Sequence, residues 1–186
     1  MTPLEHLWNG WRATYVQTAG AAGGVTPGDQ RSVFTRILES GLSDVDAHII
    51  HRGALTFVIM NAFPYSVGHM LVLPYREIGD LEDLTPDEHT ELWSTVSDAV
   101  RSVKRAMNPG GVNVGLNLGE PAGGSGREHL HVHVVPRWNG DANFMTATAN
   151  TRTLPERLPD TAAKLRAVWP AASASSLDGD VRATVD

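Results

Sequence analysis

The stretch Glu128-His129-Leu130-His131-Val132-His133-Val134-Val135-Pro136 is the part of this sequence on which the fold and the chemistry both turn. Successive side chains of an extended strand point to opposite faces, so His129, His131 and His133 share one face and Leu130, Val132 and Val134 the other. The apolar face belongs to a core. Three imidazoles in register opposite it admit three readings. The plainest is a solvated polar face that happens to use histidine, an uncommon residue to meet three times in one register. The second is a metal site, since alternating histidines on a strand can converge on Zn²⁺ or Fe²⁺. The third is nucleophilic catalysis, in which one imidazole attacks while its neighbours fix its tautomer and handle protons.

The surroundings favour the third. Residues 112–118 alternate strictly, which puts Asn113, Gly115, Asn117 and Gly119 on one face, and Asn117 offers amide donors beside the histidines. The glycine-rich loop 119–128 follows, and Gly123, Gly124, Ser125 and Gly126 can bring backbone N–H groups and a hydroxyl to an anion. Arg127 adds charge, with Arg137 a further source. Donors gathered beside a row of histidines suit a phosphate better than a dication. A metal site would also show a carboxylate on the histidine face, and Glu128 falls on the other face of a strand that includes it.

Outward from this strand, residues 48–52 and 55–60 read as two strands of a hairpin separated by Gly53 and Ala54. Residues 61–68 are a loop and residues 69–74 a buried strand. Thr85, Pro86 and Glu88 open a helix, giving a capping hydroxyl, a proline at the first position and an acid at the third. Its core stripe is Leu92, Val96, Ala99, Val100, Val103 and Ala106, and Asn108-Pro109-Gly110-Gly111 ends it. Residues 130–134 form the histidine strand, 144–148 add a short strand, and 158–169 a terminal helix. At the other end, Leu4, Leu7, Trp8, Trp11 and Tyr15 have helical spacing over residues 4–16, and 20–29 reads as a mobile loop. The sum is an α+β fold, an antiparallel sheet of about five strands with a long helix packed on it. Residues 1–170 make one domain with a short N-terminal helical extension; the small, polar residues 171–186 read as a disordered tail.

Composition narrows the chemistry. The chain has 186 residues, 41% apolar and 19% charged, with a net charge of −6, which suits a soluble globular protein and argues mildly against a nucleic-acid-binding surface. A small phosphorylated ligand needs only a few donors and is unaffected. There is no cysteine, which excludes disulfides, thiolate zinc sites and a cysteine nucleophile. Residues 1–12 lack the pattern of a signal peptide, and no apolar run approaches the roughly 20 residues of a spanning helix. The expectation is a cytoplasmic protein with no membrane partner.

Residues 129–135 resemble the His-φ-His-φ-His-φ-φ motif of the histidine triad superfamily. Gly68-His69-Met70-Leu71-Val72-Leu73-Pro74 resembles that family's Gly/Thr-His-x-Leu-Val-x-Pro strand, and residues 113–117 its Asn-x-Gly-x-Asn strand, in the same order and together covering about residues 55–138. The resemblance implies roles. His131 would be the nucleophile, carrying a covalent nucleotidyl group. His129 would hold the tautomer of His131 through a hydrogen-bond relay. His133 and Asn117 would bind oxygens of the attacked phosphate, His69 would support the triad from the neighbouring strand, and Ser125 would sit near the leaving group. Asn61 would lie near the ribose or base pocket. Two features depart from the family pattern. Three residues rather than two separate Ser125 from His129, and the region Val33-Phe34-Thr35-Arg36, where some relatives carry a zinc-binding cysteine pair, has none, so no structural zinc is expected.

Residues 136–145, with residues 119–125, resemble the actinobacterial-type diadenosine tetraphosphate phosphorylases of this superfamily. The reaction so implied is phosphorolysis of diadenosine tetraphosphate to ATP and ADP, with orthophosphate as acceptor at a subsite near Gly124, Ser125 and Arg127. The alternatives are a dinucleoside polyphosphate hydrolase, a nucleoside phosphoramidase, or, in another class, a non-catalytic nucleotide-binding regulator. Trp138 either packs in the core or walls the base or acceptor pocket. Asp141 and Asn143 read as turn residues, and His6, His48, His51 and His89 as surface or structural ones. The histidine chemistry requires no metal cofactor, although Mg²⁺ can accompany the polyphosphate. The resemblance also implies a homodimer, with the N-terminal helix able to build a larger assembly.

Overall fold

A computed structural model describes residues 31–122, 129–141 and 155–171. The expected helix over residues 4–16, the loop 20–29, the strand 144–148, most of the tail, and Gly124, Ser125 and Arg127 lie outside these. The described elements run in the order α1 (Val33–Glu39), β1 (Ile49–Arg52), β2 (Thr56–Met60), β3 (Met70–Pro74), α2 (Pro86–Met107), β4 (Gly111–Leu116), β5 (Val132–Arg137) and α3 (Leu158–Ala167). The strands form one five-stranded sheet in the order β1-β2-β3-β5-β4, with every neighbouring pair antiparallel.

Local chemistry accounts for most of the boundaries. Thr85 caps α2 by accepting from the Glu88 N–H, while the Glu88 carboxylate returns a bond to the Thr85 N–H, so two orphan donors of the first turn are satisfied at once. Asn108 ends the helix in the left-handed conformation, φ 46°. The β1–β2 turn is clamped to α2 because Glu91 Oε1 accepts from the Leu55 N–H, the Thr56 N–H and the Thr56 hydroxyl. Glycine at position 53 leaves room for this clamp, since a Cβ would lie 2.4 Å from that same carboxylate oxygen and displace it.

The two faces of the sheet differ. Toward α2 and α3 lie Val58, Met60, Met70, Val72, Val132 and Val134, packed on Leu92, Val96, Ala99, Val103, Ala162 and Leu165. Toward α1 lie Ile49, Phe57, Ile59, Leu71 and Leu73, covered by Phe34, Ile37 and Leu38. α3 is held to β1 by Arg166, which donates to the Ile49 carbonyl at 2.8 Å, and by Trp169 stacked on His51 at 4.8 Å. His51 thus has the structural role expected of it.

Two expectations change. α1 was not foreseen: it is a seven-residue helix capped by Ser32, with Phe34, Ile37 and Leu38 on its inner side. The histidine strand pairs from Val132, not from residue 130; His129, Leu130 and His131 precede the ladder, where the Leu130 N–H donates to the Ile78 carbonyl at 2.6 Å.

Candidate active site

The histidine row lies on the α1 side of the sheet, where β5 sits between β3 and β4. His133 faces Leu71 of β3 and Gly115 of β4 across the ladders. A glycine at position 115 leaves open space beside it, and Asn117, just past the end of β4, comes to 3.3 Å from His133 Nε2.

The backbone determines where the protons sit. His69 is fully buried, and its Nδ1 accepts the Tyr65 N–H at 3.0 Å, so its proton is on Nε2. The Nε2–H donates to His133 Nδ1 at 3.0 Å. His133 therefore carries its proton on Nε2, the nitrogen that faces Asn117, and the Asn117 amide meets it with Oδ1, an orientation set by the network because amide O and N are exchangeable in placement. On His131, Nδ1–H donates to the His129 carbonyl at 2.8 Å, which places the lone pair on Nε2. The row thus offers one imidazole lone pair and, beside it, one imidazole N–H. The two rings stand 4.8 Å apart, edge to face.

The ring of His129 does something else. Its Nε2–H donates to the Pro74 carbonyl at 2.7 Å and its Nδ1 lies 2.9 Å from the Ser32 hydroxyl. Burial holds its pKa below the ordinary histidine value, so it stays neutral. The link from His129 to His131 runs through the His129 carbonyl. This donor pattern also counts against the metal reading: the His129 and His133 Nδ1 lone pairs are engaged by Ser32 and His69 and do not converge with that of His131. Among the described residues no group of three histidine or acidic side chains is arranged to hold a metal ion.

Of the residues expected at the site, His69, His129, His131, His133 and Asn117 come together. Asn61 lies behind His69, its Oδ1 accepting from the Phe63 N–H and its Nδ2 reaching His69 Nδ1 at 3.4 Å. Trp138 follows β5 five residues beyond His133, roughly 16 Å along the strand at about 3.3 Å per residue. Its N–H is taken by Asp141, the turn residue it was read as. Arg137 is committed at that end of the sheet, bonded to both Asp141 oxygens and to Asn113 Oδ1, so it is not an anion donor beside the triad. Two aromatic residues were missed. Phe34 of α1 packs on His129 and His131 at 5.8 and 5.7 Å, and Tyr65 stacks on His133 at 5.8 Å and meets His69 at a tilt at 4.7 Å. Only the spacing of Phe34 with Ile37 and Leu38 could have signalled the first; the second carried no signal.

Comparison with known proteins converges on this arrangement. The family model described as HIT domain matches residues 43–140, the whole of the sheet. The chain belongs to the HIT domain family. A curated relative, the AP-4-A phosphorylase of Mycobacterium tuberculosis, is 43% identical over 169 residues, which cover 89% of this chain and 85% of that one. The asymmetrical bis(5'-nucleosyl)-tetraphosphatase of Schizosaccharomyces pombe is 33% identical over 97 residues, 52% of this chain and 53% of that protein. Among solved structures, a zinc-bound histidine triad family protein from Mycobacterium smegmatis aligns with a TM-score of 0.59 and 28% identity over 73% of this chain and 91% of that one. The α+β HIT architecture expected from the sequence is the one observed. Among the described residues no helix is long and apolar enough to cross a membrane.

Proposed function

We propose that this HIT protein transfers a nucleotidyl group through His131, and that its reaction is phosphorolysis of diadenosine tetraphosphate to ATP and ADP. The observation that carries the proposal is the bond from His131 Nδ1–H to the His129 carbonyl, which puts the lone pair on Nε2, with the His133 ring, which presents its own N–H, 4.8 Å away. The similarity to the AP-4-A phosphorylase supports the choice of substrate and acceptor.

The steps draw no proton from the protein, and the proton of the attacking hydrogenphosphate leaves with ADP and is lost to solvent. His131 Nε2 attacks the phosphorus of one adenylyl group; the N–P bond forms, the P–O bond to the remaining chain breaks, and ATP leaves as its anion. The imidazole now carries positive charge, which the His129 carbonyl stabilises at Nδ1–H. The His133 Nε2–H donates to a non-bridging phosphate oxygen, and Asn117, once turned from His133 to the ligand, adds its amide donor. Orthophosphate then attacks the same phosphorus, the N–P bond breaks, and ADP departs. The acceptor subsite would draw on Gly124, Ser125 and Arg127. Trp138 would shape a base or acceptor pocket only from the partner protomer or after movement, given its distance along β5. No structural zinc belongs to this reading, since the side chains of Ser32 and Thr35 are occupied by hydrogen bonds; Mg²⁺ would act on the polyphosphate alone.

A homodimer across the outer edge of β4 and α2 is part of the reading: β4 ends the sheet, and Val114 there is 42% exposed. A cytoplasmic site of action, where nucleotides are abundant, is also part of it. The test is incubation with diadenosine tetraphosphate with and without orthophosphate, followed by separation of nucleotides. ATP and ADP formed only with phosphate is the expected result, unchanged after dialysis against a chelator apart from a shift in KM. ATP and AMP without phosphate would make the protein a hydrolase, as the S. pombe relative is by name.

A further inference from the structure

The histidine that carries the anchoring carbonyl is itself held by a chain of bonds from two other parts of the fold. His129 is 4% exposed and stands before the first ladder pair of β5, so sheet pairing does not place it. Its ring is fixed instead by Pro74 at the end of β3 and by Ser32, the residue that caps α1. The direction of each bond follows by elimination. The Glu77 carboxylate can only accept, so the Thr35 hydroxyl donates to its Oε2 and the Ser32 N–H to its Oε1 at 2.9 Å. The Ser32 hydroxyl accepts the Thr35 N–H at 3.0 Å and lies 3.1 Å from the Thr35 hydroxyl, whose proton is already committed. The Pro74 carbonyl can only accept, so the His129 proton is on Nε2, and its Nδ1 lone pair takes the Ser32 hydroxyl proton.

We propose that Ser32, Thr35 and Glu77 are positioning residues for nucleotidyl transfer: their hydrogen-bond chain fixes the place of the His129 ring at Nδ1, and through the His129 carbonyl the place of the attacking His131. The proposal rests on the reading of His131 as nucleophile. It gives α1 a function beyond covering the sheet, because the first turn of that helix is bonded to the segment that carries the nucleophile.

The test uses the full-length protein and three substitutions. Ser32→Ala removes the donor to His129; Glu77→Ala, at an exposed position, removes the anchor of Ser32 and Thr35. Glu39→Ala breaks only the ion pair with Arg31 at the other end of α1 and serves as control. Ser32→Ala is expected to lower kcat about 10- to 100-fold with KM within about twofold, Glu77→Ala less in the same direction, and Glu39→Ala not at all. Two-bond ¹H–¹⁵N spectra of the imidazoles should show His129 as the Nε2–H tautomer in the wild type and, in Ser32→Ala, the same tautomer with its Nδ1 resonance shifted by loss of the donor. A wild-type kcat per folded molecule in both site variants, even with a lowered Tm, overturns the proposal. So does a wild-type spectrum with the proton on His129 Nδ1, which decides the matter should Ser32→Ala fail to fold. Absence of turnover by the wild type would instead refute the substrate reading and leave the spectra to judge the cluster.

Discussion

On β5, Val132 and Val134 point toward α2 and are fully buried, while His133 and, just before the strand, His131 point toward the α1 side and remain partly open. On β3 the same alternation sets Met70 and Val72 against Leu71 and Leu73, with His69 entering at the head of the strand on the histidine side. The first face is held mainly by apolar packing, with Glu91 and Arg166 bonding at its margin. The other mixes packing with a network in which each bond dictates the next proton. A strand can serve both because its period of two separates the tasks residue by residue. It follows that damage on the two faces should be separable by experiment.

The sharpest separation comes from His131→Ala, which removes the attacking nitrogen. We expect kcat to fall by at least about 10³-fold while Tm stays within a few degrees, read by product formation and thermal unfolding on the same sample. The matched break on the packing face is Leu92→Ala in α2, at a fully buried position. It should cost about 2–5 kcal/mol in urea unfolding, with kcat per folded molecule unchanged. A large kcat loss in Leu92→Ala would show that the faces are coupled.

A smaller effect is expected at the entrance to α2. Arg76 and the Thr85 N–H hold the Glu88 carboxylate at a pKa of about 2, well below its ordinary 4.5. Because the folded value is depressed, the stabilisation is complete above the unfolded pKa and is lost as pH falls from about 4.5 toward 2. Glu88→Gln should therefore cost about 1–2 kcal/mol at pH 7, and the gap from the wild type should close across that window. A gap independent of pH would mean that packing, not the charge, is what Glu88 contributes.

The sequence disclosed what is local. The Thr85-Pro86-Glu88 start of α2, the Asn108 stop and the strands at β1, β2 and β3 follow from neighbours a few residues apart. His69 and Asn117 could be placed beside His133 because the strands bearing them were legible and the family pattern joins them. α1 was not legible: seven residues, even with four apolar positions, make no stable helix alone, and tertiary packing decides the matter. The partnership of Ser32 with His129 spans 97 residues and that of Ser32 with Glu77 spans 45, with nothing in either segment to announce the other. That the His129 relay runs through a backbone carbonyl was not legible either, because periodicity fixes the face a side chain takes but not what the backbone beside it bonds to.

The central claim, that His131 Nε2 takes the nucleotidyl group, is tested most directly by rapid mixing with diadenosine tetraphosphate in phosphate-free buffer, an alkaline quench and mass spectrometry of the peptides. An adenylyl adduct on His131, discharged as ADP when orthophosphate is added, is the predicted result. Turnover without an adduct, or an adduct on another residue, would contradict it.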